Sequence, residues 1–178
     1  MNRIKLFSLS IASSIVILSC GGGETSTDGT DTTGANSMTH EQTETTAAAP
    51  ATNEVAELSL EGNDQMQFNN KEFRVKAGQT VKLTMTHVGT MAKNAMGHNF
   101  VLLKEGVDLA SFGQKSATAM DTDYIPASEE GNIIAHTKML GGGESDTIEF
   151  TAPAAGTYEF LCSFPGHYAL MRGVFIVE

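Results

Sequence analysis

The sequence predicts an all-β domain, a Greek-key β-sandwich or small barrel, with one short helical insertion. Two observations carry this. Residues 80–87, "TVKLTMTH", alternate without a break: Val81, Leu83, Met85 and His87 fall on one face, and Thr80, Lys82, Thr84 and Thr86 on the other. Short runs rich in β-branched and aromatic residues then recur to the end of the chain, cut by glycine.

In chain order those runs are "HNFVLLKE", "NIIAHTK", "DTIEFTA", "GTYEFLCS" and "GVFIVE", with Gly106, Gly131, Gly141–Gly143 and Gly156 between them. "VDLASFGQKSATAM" is the one stretch with a helical reading. No internal repeat is present. So many strands within about 125 residues are the spacing of a sandwich or barrel.

Residues 1–19 read as a lipoprotein signal peptide. Arg3 and Lys5 precede a short apolar stretch, Leu6 to Leu18, broken only by serines and too short for a membrane span. "ILSC" is similar to a bacterial lipobox, which makes Cys20 the expected lipidation site and a membrane the expected partner through that anchor. Ordinary cleavage near residue 20, with Cys20 incidental, is the competing reading. Residues 20–53 form the expected disordered linker: from 21 to 53 there is no aromatic residue and no Val, Ile or Leu to bury. A flexible tether of this length spans roughly 30 Å. His40 lies within it and reads as a solvated linker residue.

Residues 54–178 are the expected folded domain. Loss of residues 1–19 removes two cations and no acid, so the formal charge moves from −10 to −12. That excludes nucleic acid as a natural partner and disfavours adhesion to acidic lipid. The implied location is the bacterial cell envelope, periplasmic or anchored at the outer membrane. In such an oxidising compartment cysteines are normally paired. With Cys20 acylated, Cys162 has no partner, and an exported lone thiol must be deeply buried or held by a metal.

Cys162, His167 and Met171 follow the spacing C-x4-H-x3-M in "CSFPGHYALM". A thiolate, an imidazole and a thioether share affinity for soft and borderline metals, copper above all. Chance neighbours are the alternative on the loop alone. The period-2 rule adds that Cys162 shares a face with Tyr158 and Phe160, and His98 with Phe100 and Leu102, both toward the core. A buried imidazole needs a partner, and a core hydrogen bond would also serve His98. Taken together, His98, Cys162 and His167 with a weak axial Met171 make the ligand set of a type 1 copper site. Zinc fits less well, since structural zinc sites carry at least two thiolates.

Five stretches, "GNDQMQFN", "MGHNFVLL", "DTDY", "IAHTK" and "CSFPGHYALM", together resemble the azurin family of cupredoxins from Leu58 to the C-terminus. The resemblance implies one copper ion, with His98, Cys162 and His167 equatorial, Met171 axial and the Gly97 carbonyl on the opposite side. It implies that Asn99 braces the ligand loop and donates toward the Cys162 sulfur, and that His87 and Phe164 lie beside the copper. A hydrogen-bonded core histidine with no further role is the alternative for His87, and His136 reads as a surface residue. It further implies an uncharged docking rim of Met66, Met91, Ala95, Met96, Phe164, Pro165, Ala169 and Leu170 around an exposed edge of His167. The family's disulfide and tryptophan are absent, and Phe100 follows the His-Asn pair. The implied function is one-electron transfer with redox proteins such as c-type cytochromes or copper enzymes, not catalysis. Copper storage or delivery is the second reading.

Overall fold

Alternating side-chain size turns residues 80–87 into a two-faced strand, and the rest of one sheet is built around it. In the computed structural model, which describes residues 54–178, strand β4 (Thr80–His87) buries Val81, Leu83, Met85 and His87. Its outer face carries the hydroxyl pairs Thr84–Thr147 and Thr86–Ser145, each 2.9 Å across to a neighbouring strand. The expected signal peptide, Cys20 and linker lie outside the described residues.

The other strands are β1 (Ala56–Asn63), β2 (Gln67–Phe68), β3 (Glu72–Val75), β5 (Val101–Leu103), β6 (Ile133–His136), β7 (Ser145–Thr151), β8 (Gly156–Leu161) and β9 (Arg172–Val177). One sheet has the order β2-β1-β4-β7 and the other β3-β9-β8-β5-β6. β1 runs parallel to β4 and β3 parallel to β9, while the remaining pairs are antiparallel. The chain passes between sheets after β2, β3, β4, β6 and β7, giving the two-sheet sandwich that the alternation predicts.

Between the sheets lies an aromatic core. Phe160 is its hub, with ring centroids 5.3, 5.6 and 5.9 Å from Phe100, Phe73 and Phe68. Phe100, which follows the His98-Asn99 pair, is fully buried. The helical stretch forms α2 (Leu109–Ser116), capped by Asp108, whose carboxylate accepts from the Ser111 N–H. A further four-residue helix, α1 (Lys93–Met96), stands before the ligand segment.

The sandwich has two distinct ends. Gly62 pairs with His87 at one end, beside the loop between β8 and β9. At the other, Gln79 Nε2 donates to the Glu54 carbonyl and the Ala77 N–H to the Glu178 carbonyl. Both ends of the described chain therefore meet at the end remote from His87.

Candidate metal centre

Two strand ends and one closed loop make the site. β8 and β9 pair from Gly156–Val177 up to Leu161–Arg172, and the Cys162 N–H then donates to the Met171 carbonyl at 2.9 Å. Residues 163–170 bulge out of that closure. Gly166, at φ +81°, admits the left-handed turn that starts the short 3-10 helix His167–Ala169. The His167 N–H donates to Phe164 O, and the Met171 N–H donates back to His167 O. These backbone bonds turn His167 and Met171 back toward Cys162.

Expectation placed His98 at the start of one strand and Cys162 at the end of another. In the structure both stand just outside the ladders. Cys162 follows the last residue of β8, and His98 precedes β5 by three residues, held by an isolated two-bond bridge to Leu140. Met171 likewise ends the loop and does not begin β9.

The gap in the ladder is bridged by one side chain. Asn99 Nδ2 donates to Ser163 Oγ and Asn99 Oδ1 accepts the Ser163 N–H, both at 2.8 Å and both buried. Asn99 therefore braces the loop through its side chain. The N–H groups pointing at the Cys162 sulfur are the backbone ones of Asn99 and Phe164.

Donor atoms converge at this gap. Cys162 Sγ lies 3.7 Å from His167 Nδ1, 3.9 Å from His98 Nδ1 and 3.7 Å from the Gly97 carbonyl oxygen. One donor atom from each of His98, Cys162 and His167 falls within 4.8 Å of the others. His98 Nε2 donates to the Asn63 carbonyl at 2.9 Å, so its proton sits there and the Nδ1 lone pair faces the sulfur. Gly62 is required beside it: a Cβ there would lie 2.9 Å from His98 Cδ2.

Burial sets the charge of these groups. It pushes the Cys162 thiol up to about 12, against the pull of the two backbone N–H groups. It brings His167 down to about 4, with His98 and His87 adding to the effect. Burial also lowers His98, against the Asn63 hydrogen bond. Without a cation the site holds two neutral imidazoles and a thiol, their lone pairs aimed at one another. A metal ion that takes two imidazoles and one thiolate satisfies all three at once, and that donor set selects copper over harder cations.

His87 is fully buried against the site. Its Nε2 donates to Met96 O at 2.8 Å, its Nδ1 accepts the Gly89 N–H at 3.1 Å, and Asp64 Oδ1 lies 4.0 Å from Nε2. Asp64 itself accepts the N–H groups of Thr90 and Met91, which hold its carboxyl below the usual range. Asn63, Gly62 and Ser163 went unrecognised as site residues in the sequence. Asn63 acts through a backbone carbonyl, which no residue type announces.

The expected rim divides. Ala95, Ala169, Met91 and Leu170 are exposed, Met66, Met96 and Pro165 half-buried, and Phe164 buried, its ring 4.6 Å from His167. The expected exposed edge of His167 is narrow. That residue is 3% exposed, whereas His98, Cys162 and Met171 are at 0%. His136 is exposed, as read from the sequence.

A two-sheet sandwich with a His-Cys-His centre built from the β8–β9 loop and a histidine just before β5 is the cupredoxin architecture. Residues 53–178 match the family of copper-binding proteins described as the plastocyanin/azurin family. Azurin-1 of Alcaligenes xylosoxydans xylosoxydans is 43% identical over 121 residues, covering 66% of this chain and 93% of the relative. Outer membrane protein H.8 of Neisseria gonorrhoeae is 42% identical over 118 residues, 65% of this chain and 63% of the relative. Among solved structures, dithionite-reduced auracyanin of Roseiflexus castenholzii superposes with TM-score 0.62 at 40% identity, over 72% of this chain and 99% of that one. An azurin of Methylomonas sp. strain J gives TM-score 0.61 at 30% identity, over 69% and 98%. The chain belongs to the plastocyanin/azurin family and has azurins among its relatives, as the sequence indicated. Its cofactor is copper, and His98, Cys162 and His167 form a site compatible with one type 1 ion.

Proposed function

We propose that this protein is a one-electron carrier tethered to the bacterial cell envelope. The convergence of His98 Nδ1, Cys162 Sγ and His167 Nδ1 in a buried, loop-closed cage carries the reading. Bound copper would be held by His98, Cys162 and His167, with Met171 and the Gly97 carbonyl as further, weaker donors. Copper supplies the one-electron chemistry, cycling between Cu(I) and Cu(II). The chain supplies fixed geometry: the Asn63 carbonyl holds His98, Asn99 holds Ser163 and with it Cys162, and the His167–Met171 backbone bond sets the loop. It also excludes water, since three of the four side-chain donors have no exposure at all.

The closed cage favours a carrier over storage or delivery, which needs ligands that partners can reach. The neighbours of Cys162 are Leu161 and Ser163, so no histidine continues the path to a second metal as in multicopper enzymes. We therefore read the protein as no enzyme, exchanging electrons with redox proteins such as c-type cytochromes or copper enzymes.

Envelope tethering is supported by "ILSC", by the composition of residues 20–53, and by a relative named as an outer membrane protein. Glu54, where the tether would join, lies at the end of the sandwich remote from the ligand loop. A tethered domain can then turn its copper end away from its own anchor.

The visible spectrum after copper(II) addition tests the carrier reading. Intense blue colour is expected, abolished by Cys162→Ser; a colourless wild-type protein with one bound copper overturns it. Mass spectrometry of the mature N-terminus tests the tether, with a diacylglyceryl-modified Cys20 expected.

A further inference from the structure

The chain between β5 and β6 leaves the sandwich for residues 104–132 and returns without adding a strand. None of the ligands comes from it. It nevertheless grips the ligand loop at two places, one on each side of His167.

The first grip is a notch. Leu109 and Phe112 of α2 pack with Val101, Leu103, Ile125 and Leu161 in a second apolar cluster beside the main core, and Tyr168 packs against that cluster. Gly113, on the same helix, leaves room for the Tyr168 ring. A Cβ at Gly113 would lie 2.4 Å from Tyr168 Cγ and 2.5 Å from Cδ1. Tyr168 is the residue directly after His167.

The second grip is an aromatic edge. Asp123 and Tyr124 both adopt left-handed backbone, φ +52° and +60°, which non-glycine residues adopt at a cost. The Tyr124 N–H donates to Ala119 O at 2.8 Å and the ring is buried. It meets Phe164 edge-on, centroids 5.2 Å apart at 63°, and Phe164 in turn lies 4.6 Å from the His167 ring.

We infer that residues 104–132 are an outer brace of the copper centre, with Gly113 and Tyr124 as positioning residues that fix His167 through Tyr168 and Phe164. The inference deepens the carrier reading and rests on it for its purpose, since a ligand held from both sides stays put when copper changes charge. The turn through Gly166 leaves the backbone of His167 itself with only local hydrogen bonds, while Asn99 holds the loop further back, at Ser163. The brace adds tertiary contacts on either side of His167, at Phe164 and Tyr168.

The test uses the full chain carrying Gly113→Ala, Tyr124→Leu or Tyr168→Ala, with Val75→Ala, a core truncation at the remote end, as the control for lost stability. Copper(I) release to a chelator and the NMR line shape of the His167 imidazole in copper(I)-loaded and metal-free protein are measured. Each brace variant is expected to release copper about tenfold faster, a modest lowering of the barrier, and to broaden the His167 ring signals. Tyr168→Phe and Tyr124→Phe, which keep the rings, should behave as wild type. The brace is overturned if Val75→Ala at equal stability loss speeds release as much, or if the brace variants leave the His167 signals sharp. If the wild-type protein takes up no copper, the carrier reading falls, while the His167 signals of the metal-free protein still decide the brace.

Discussion

The imidazole of His87 stacks on that of His98, centroids 4.3 Å apart and planes 20° from parallel. Both rings are fully buried, and each has its Nε2 on a backbone carbonyl, Met96 for one and Asn63 for the other. His98 is thus fixed by a hydrogen bond in its plane and a ring on its face. His87→Ala removes the face and strands the Met96 carbonyl and Gly89 N–H. It should cost about 3 kcal/mol of stability, as large-to-small changes and orphaned hydrogen bonds do. The Asn63 bond remains, so the copper(II) spectrum should persist. Denaturant midpoints and absorption spectra of the two proteins measure both effects.

Copper uptake should release one proton, from Cys162. Burial holds that thiol protonated up to about 12 in the metal-free chain, whereas the bound form is the thiolate. His98 and His167 are both lowered, His167 to about 4, so neither contributes a proton near neutrality. Between pH 7 and 10, affinity should therefore rise about tenfold per pH unit. Titration in weak buffer with a pH indicator counts the proton.

The same burial gives the metal-free protein an acid weakness. A histidine lowered by folding contributes stability that is complete above its unfolded value and is lost as pH falls toward its folded one. For His167 that window runs from about 6.5 down to about 4. Denaturant midpoints of metal-free protein should fall across it, and His167→Gln should flatten that part of the profile.

Met171 should tune the potential without holding the metal. It ends the loop, fully buried, with its backbone tied to Cys162 and His167 independently of its side chain. An axial thioether bond is weak and long. Met171→Gln should keep copper and lower the reduction potential, because a harder oxygen donor favours Cu(II). Loss of copper from that variant would contradict an axial role.

The sandwich was legible where its strands bury one face and expose the other. β4 and β7 alternate over their whole lengths, and alternation reports which side faces the core. α1 was not legible, since it buries nothing and lacks a capping side chain, so neither periodicity nor a start signal marks it. The donor residues could be read by type and spacing, but their place beyond the ladders could not. Two residues beyond the pairing Val101–Leu161, the ladder register opposes Asn99 to Ser163, where main-chain bonding would be expected to continue. A side-chain amide takes over instead, a substitution that tertiary geometry decides. Gly62 and the Asn63 carbonyl were hidden for a similar reason, since space and backbone oxygen carry no side-chain signature.

Electron exchange should pass through the face around His167. That residue alone among the side-chain donors reaches solvent, and only by 3%. A partner must therefore come into close contact to couple with it. Leu170, three residues on, is 55% exposed, and Met91 40%, in a domain whose formal charge is strongly negative. Uncharged side chains here let two acidic copies, or an acidic copy and a partner, approach without setting charge against charge. Methionines at 66, 91 and 96 add a surface that repacks against different partners. Leu170→Lys or Met96→Lys would place a hydrated charge in that contact, twice over when two copies meet. The hydrogen bonds of these two residues to the site are backbone ones, Leu170 N–H to His167 O and His87 Nε2 to Met96 O, and a lysine keeps both. Self-exchange should slow by about a hundredfold, within the range over which local charge changes encounter rates, with the absorption spectrum unchanged. Rates at the wild-type level in both variants would move the port to another face of the domain.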